Sequence, residues 1–343
     1  LVSNTGQCLP MNIILQNAYD FIEKHQLDPA NTVLWMMESP VSCNLGVFIS
    51  YMSKQLTEQN EKYSKVRIYP GQITFADISV NVSINSYLAF LFGGYMRKIE
   101  CKLRPYEERK GQTEAVVKQS MELLYETFEK GTSKELALKQ VIAWVKEIEV
   151  KKEERPKVAI FGDLYARDND VFNQDLIGII ERNGGEAITT PYSDYVKIIY
   201  HASNTRVTNE GYYLRAVTRK FLFSLVTKIE NKYLRYFNEI LKEPIVKPLK
   251  KFEDKLELAN LKTAYNGESI ENALKIIHLT EHYSDIALFV QTNPSYCCPS
   301  LITEAMAGKF EEISGIPIVT IEYDGTSAGK NQDIIPFLKY AKN

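Results

Sequence analysis

The sequence predicts an α/β protein whose parallel sheets are covered by helices on both faces. Two observations carry that expectation. Short aliphatic runs alternate with longer amphipathic stretches, the order that builds strand–helix–strand units. The runs Val33 to Met37, Val158 to Phe161 and Ile286 to Val290 are apolar throughout, as strands buried on both faces are.

In the first half, Asn12 to Lys24 reads as a helix and Thr32 to Met37 as a strand. The loop Glu38-Ser39-Pro40-Val41-Ser42-Cys43-Asn44 leads into a helix from Leu45 to Leu56. Val66 to Tyr69 is a short strand, and Ala76 to Met96 is mostly helical. Two amphipathic helices follow, over Thr113 to Lys130 and Ser133 to Glu149. The charged stretch Lys146 to Lys157 reads as a linker, which places a boundary near residue 155. This division gives a first α/β domain over 1–155, cut short on its N-terminal side, and a second over 156–343.

The second half opens with the strand Lys157 to Asp163, ending in a glycine turn. Asn173 to Asn183 is a helix stopped by Gly184-Gly185, and Ala187 to Thr190 is a strand. Asp194 to Leu241 is a long helical region of two or three helices. Its Tyr and Phe stripe from Tyr212 to Phe237 reads as helix packing, with Arg215, Arg219 and Lys220 as a solvated edge. Ser269 to Glu281 is helical and precedes the strand ending at Val290. After Asn293-Pro294-Ser295-Tyr296-Cys297-Cys298-Pro299-Ser300 comes a helix over Leu301 to Phe310, then a strand over Ile316 to Ile321 and a helix over Asp333 to Ala341.

Composition narrows the function classes. The 343 residues are 45% hydrophobic and 24% charged, with a net charge of −2, so no electrostatic footprint for nucleic acid is present. The longest apolar run, Tyr87 to Phe92 with two glycines, is far short of the roughly 20 residues that span a bilayer, so no membrane contact is expected. No signal peptide is visible. The opening Asn4-Thr5-Gly6-Gln7-Cys8-Leu9-Pro10 starts mid-phrase, as in a fragment of a longer polypeptide or a processed chain.

Five scattered cysteines, Cys8, Cys43, Cys101, Cys297 and Cys298, argue against a disulfide framework and suit a reducing cytoplasm. Three cysteine segments share one layout. Cys43 and the Cys297–Cys298 pair each stand where a strand hands over to a helix, and Cys8 stands just before a helix. The free amides and dipole of a helix start favour an anionic sulfur or a cluster held by it. In open α/β sheets the loops at the carboxyl ends of strands converge on one crevice, where three thiolates can hold a 4Fe–4S cluster with a vacant iron position. The alternative is that each is a small buried hydrophobe. Cys101 lacks the layout and reads as an ordinary thiol.

Asn293 through Leu301, with Ile321-Glu322-Tyr323-Asp324-Gly325-Thr326, resembles the C-terminal signature of the superfamily of 2-hydroxyacyl-CoA dehydratases and benzoyl-CoA reductases. Gly162 through Asp170, Gly184-Gly185-Glu186, Pro191 through Tyr195, Gly6 through Pro10 and Cys43-Asn44-Leu45 are similar to it too. The nearest resemblance is to the region after the ATPase modules in large CoA-substrate-specific enzyme activase proteins. It implies two Rossmann- or flavodoxin-like domains, plus helical insertions, with a cysteine-bound 4Fe–4S cluster at their interface. It further implies an ATP-hydrolysing activase as electron donor, a CoA thioester as substrate, and paired subunits. Carried onto this sequence, the ligands are Cys8, Cys43 and Cys297. Cys297 is preferred because Cys297-Cys298-Pro299 matches the family's Cys-x-Pro, and Cys298 is left as a second ligand or a packing neighbour. A double cubane would need more thiolates than the five present. The rival reading is a non-catalytic assembly or regulatory module without a cluster.

Other candidates are polar residues near strand ends. Arg167 could contact a CoA phosphate or the cluster's charge, or pair with Asp168 or Asp170. Tyr323 and Asp324 could line the mouth of the crevice, or form a polar turn with Gly325. Thr326 through Asn331 lacks P-loop spacing, and no GxGxxG follows the first strand of either half, which argues against a dinucleotide site. His278 and His282, one turn apart, read as a surface pair.

Overall fold

Proline and serine set the first helix boundaries. Pro10 occupies the first turn of α1 (Leu9–Lys24), where its missing amide proton costs nothing. The structure, a computed structural model, describes residues 6–37, 43–59, 61–71, 75, 78–243, 253–262 and 268–341. The predicted loop residues 38–42, Ala76, Asn4 and Thr5 lie outside them. Strand β1 (Val33–Met37) precedes α2 (Phe48–Gln59) and pairs in parallel with β2 (Arg67–Gly71). Gly71 is required there, because a Cβ would meet the Trp35 indole at 2.0 Å.

Next come α3 (Val80–Leu103), whose N-cap Ser79 accepts from the Val82 amide, α4 (Gln112–Lys130) and α5 (Lys134–Lys146). Strand β3 (Lys157–Gly162), α6 (Leu164–Arg167), α7 (Leu176–Arg182) and β4 (Glu186–Ile188) follow. The long helical region divides at Gly211, φ +86°, into α8 (Tyr192–Asn209) and α9 (Tyr213–Leu241). The remaining elements are α10 (Glu253–Leu258), α11 (Glu268–His282), β5 (Ile286–Pro294), α12 (Cys298–Ala305), α13 (Ala307–Ser314), β6 (Ile318–Tyr323) and α14 (Ile335–Tyr340). The single helix expected over Leu301 to Phe310 is therefore broken at Met306.

The architecture is a mostly helical α/β fold with two small parallel sheets. The larger sheet has the order β4-β3-β5-β6, all parallel. Its strands alternate faces. Ala159, Phe161 and Phe289 pack with Ala273, Leu274 and Ile277 of α11, while Val158, Ile160 and Val290 pack with Ile177 of α7 and Leu338 of α14. Each of the buried Val, Leu, Ile and Phe side chains contributes roughly 1.5–3 kcal/mol.

A third core is purely helical. Leu91, Phe92 and Ile99 of α3 meet Leu138 and Val141 of α5 and Phe237 of α9, so residues on both sides of position 155 share one core. The aromatic stripe of α9 divides accordingly. Tyr233, Leu234 and Phe237 are buried, but Tyr213, Leu214, Val217 and Phe221 are exposed. Helix α8 lies against that half, stacking Tyr200 on Phe223 at 3.7 Å between ring centroids. No helix among the described residues is long and apolar enough to cross a membrane.

Candidate functional site

The chain runs from β3 outward to β4 and returns on the other side of β3 as β5. The sheet order therefore reverses between β3 and β5, and a crevice opens beyond their carboxyl ends. Two loops border it. After β3, Gly162 takes φ +113° and lies so close to β5 that a Cβ would meet the Thr292 carbonyl oxygen at 2.4 Å. The next amide, Asp163, donates to that same carbonyl at 3.0 Å. The Asp163 side chain caps α6 by accepting from the Ala166 amide at 2.8 Å. After β5, the Gln291 amide nitrogen donates to Asn293 Oδ1 at 2.8 Å and to the Ser300 carbonyl at 2.9 Å, fixing the strand end to the first turn of α12.

Three sulfur-bearing segments meet at this crevice. The Leu9 amide at the start of α1 donates to the Ser295 carbonyl at 3.2 Å, which brings Cys8 to the loop carrying Cys297 and Cys298. Cys43 precedes a short 3₁₀ turn, Asn44–Val47. Asn44 joins the pieces. Its Oδ1 lies 3.8 Å from Cys298 Sγ, and its side chain also hydrogen-bonds Cys8. Cys297 is the N-cap of α12 and is buried, whereas Cys298 is exposed. Cys298 Sγ faces Asn44 and Cys8. Cys101 is buried elsewhere, against the larger sheet.

The expected anionic sulfur at a helix start is not favoured at Cys8. Burial pushes its thiol up, and the Met11 amide and Asn44 pull it down, while Asp163 and Cys298 add to the rise. Among the described residues no group of three or more His, Cys, Asp or Glu side chains stands close enough to hold a metal ion. The thiols of Cys8 and Cys298 near Asn44 are donors of the kind that suit a soft, cationic centre.

The polar candidates fall in different places. Arg167 is 1% exposed, and its Nε and Nη2 grip Asp168 at 3.1 and 2.6 Å. Its Nη1 has no hydrogen-bond partner among the described residues. Tyr323 is fully buried and donates to Asn331 Oδ1 at 2.7 Å, which in turn holds the Asn173 and Gln174 carbonyls through Nδ2. Asp324 sits in the exposed turn. The Thr326 hydroxyl, Lys330 at 2.9 Å and the Thr326 amide hold its carboxyl below the usual range.

Sequence patterns did not single out the charged groups of α11 behind the crevice. Buried Lys275 donates to the Gly162 carbonyl at 3.3 Å and lies 4.8 Å from the Tyr195 ring centroid. Glu271 accepts from the Tyr195 hydroxyl, and burial pushes its carboxyl up to about 7 against the pull of Lys275. His278 is 3% exposed rather than part of a surface pair. No family model, no curated protein and no solved structure matches the chain.

Proposed function

We propose that the chain is an iron–sulfur redox unit of the 2-hydroxyacyl-CoA dehydratase type. It takes low-potential electrons from an ATP-hydrolysing activase and passes them to a small substrate, with acyl-CoA the class the sequence resemblance implies. One observation supports the reading above the others. Cys8 and Cys298 share the side chain of Asn44, the neighbour of Cys43, although Cys298 and Asn44 are 254 positions apart. A chain with no use for adjacent sulfurs has no need to tie three helix starts to one strand-end crevice. A 4Fe–4S cluster held by Cys8, Cys43 and one of the adjacent pair, Cys297 or Cys298, would supply one-electron reduction. The four-stranded sheet is then one flavodoxin-like unit and β1–β2 part of a second, in a cytoplasmic, dimeric protein.

A second reading has its own support. In it the chain is a non-catalytic assembly or regulatory module in which Cys8 and Cys297 are buried packing residues. Anaerobic purification with iron and sulfide analysis decides between them. A brown protein with about four irons per chain supports the cluster, and a colourless one supports the module. Cys8→Ala, Cys43→Ala and one of Cys297→Ala and Cys298→Ala should each lower the iron content, and Cys101→Ala should leave it unchanged. Equal behaviour of all five variants would overturn the ligand assignment.

A further inference from the structure

The first half of α9 has a packed side and an exposed one. Ala216, Arg219 and Phe223, three and four residues apart, form the side turned to α8, where Arg219 donates to Ser203 Oγ at 2.7 Å and Phe223 stacks on Tyr200. Leu214, Val217, Phe221 and Leu225 follow the same spacing on the opposite side and are exposed by 82%, 66%, 63% and 40%. Single exposed leucines need no explanation, but an aligned row marks a surface that something covers.

The line these residues trace does not stay apolar. Continued at the same spacing, it runs through Lys228, Lys232, Arg235 and Glu239, as expected where a helix meets water. The last three are about half exposed. One continuous helix thus presents charge to solvent over its second half and large apolar side chains over its first.

The apolar surface extends beyond one helix. Helix α3 runs beside α9 in the same direction. Tyr87 donates to Glu230 at 2.5 Å, Phe92 lies 5.3 Å from Tyr233 between ring centroids, and Lys98 pairs with Glu243. The start of α3 is therefore level with the exposed half of α9. There Ile78, Val80 and Ile84 are exposed, and α3 has no charged residue before Arg97.

The charges around the row are of one sign. No acidic residue lies between Glu210 and Glu230, whereas Arg215, Arg219, Lys220 and Lys228 do. Arg215 and Arg219 stand on one flank of the row and Lys220 on the other. None of the four has an ion pair among the described residues, in contrast to Lys232 and Arg235, which share Glu135. Burial, with Arg215 and Arg206 nearby, pushes the pKa of Arg219 down.

The occupant must bring an apolar layer and an excess of negative charge. A second copy of the chain fails the second condition, because it would set the same cations against each other. An anionic bilayer meets both, and it presents one sign everywhere, which both flanks of the row match. We propose that this half of α9, with the start of α3, docks on the surface of an anionic lipid bilayer. Leu214, Phe221 and Leu225 enter the boundary of the acyl chains, and Arg215, Lys220 and Lys228 reach the headgroup anions. That no described helix can cross a membrane does not bear on contact with its surface. The face contains none of the cysteines, so its test is independent of the cluster.

The purified chain should co-sediment with vesicles of about three parts phosphatidylcholine to one of phosphatidylserine at least about tenfold better than with phosphatidylcholine alone. Sodium chloride at about 1 M, which shortens the screening length to about 3 Å, should remove the difference. The double variant Phe221→Gln, Leu225→Gln keeps the net charge and changes only exposed positions, and its binding should fall at least about tenfold. Arg215→Gln with Lys220→Gln keeps the apolar row and should also lower binding about tenfold. Circular dichroism checks that each variant is folded. Equal sedimentation with both lipids, or unchanged sedimentation of either double variant, overturns the proposal. So does a wild-type chain left in the supernatant by both, including one that gel filtration shows to pair with itself through this face.

Discussion

His278 on α11 gives the fold an acid-sensitive point. It is 3% exposed, its Nδ1 has no hydrogen-bond partner among the described residues, and its ring centroid lies 3.8 Å from that of His282. Protonation would bury an imidazolium. That desolvation, reinforced by His282, Lys98 and Lys197 and opposed by Asp194, pushes its pKa down to about 3. In the unfolded chain a histidine titrates near pH 6.5, so the unfolded state binds the proton more tightly than the folded one. Stability is thus fully present above about pH 6.5 and is lost progressively as pH falls toward 3. Between about pH 7 and pH 5 the loss is on the order of 2 kcal/mol. His278→Leu keeps an apolar side chain of similar bulk and removes the titration. Urea unfolding followed by circular dichroism at those two pH values should show wild type losing about 2 kcal/mol more than the variant. If both chains lose the same stability, burial of a neutral imidazole is not what makes this helix acid-sensitive.

Glu271, two turns earlier on α11, titrates with the opposite sign. Its folded pKa is raised to about 7 from an unfolded value near 4.5, so its contribution is present below about pH 4.5 and is lost as pH rises through 7. Glu271→Gln should therefore gain on the order of 2 kcal/mol relative to wild type between about pH 5 and pH 8, and a constant difference between the two chains would contradict this. Gly162→Ala combines a positive φ with a Cβ 2.4 Å from the Thr292 carbonyl, so a loss of roughly 3 kcal/mol or more is expected in thermal unfolding. In iron-free protein, iodoacetamide mapped by mass spectrometry should modify exposed Cys298 well before Cys8, whose thiol is buried and pushed up. Labelling of Cys8 at the rate of Cys298 would show that the crevice is open.

Much of the element order was legible because the two periods differ and glycine or proline marks the joints. Gly184-Gly185 ends α7 as expected, and Ile286 to Val290 is the first part of β5. What failed is what a period cannot encode. The stripe along α9 reports an apolar face from Tyr213 to Phe237, but not that only its second half is covered. The i, i+4 spacing of His278 and His282 is the same on a solvated face and on a buried one. The helices beside it decide between them, with Lys98 of α3 and Asp194 and Lys197 of α8 close to the His278 ring. The amphipathic run 301–310 continues across Met306, and its one glycine, Gly308, lies inside α13 rather than at the break, so it did not mark the joint.

At the crevice, the strand-to-helix position of each cysteine segment was readable, and the convergence was not. Convergence follows from β5 returning beside β3, a choice of sheet order that leaves no mark in either strand. Asn44 was visible only as part of a short motif, and its role as the link between Cys8 and Cys298 depends on three segments arriving together. The helix-start argument also needs one more factor. A first-turn amide lowers a thiol's pKa, and the Met11 amide does so for Cys8, yet burial acts in the opposite direction and is the larger effect. Packing the crevice closely enough to bring the sulfurs together is also what desolvates them. In the folded chain burial therefore holds Cys8 toward the neutral thiol.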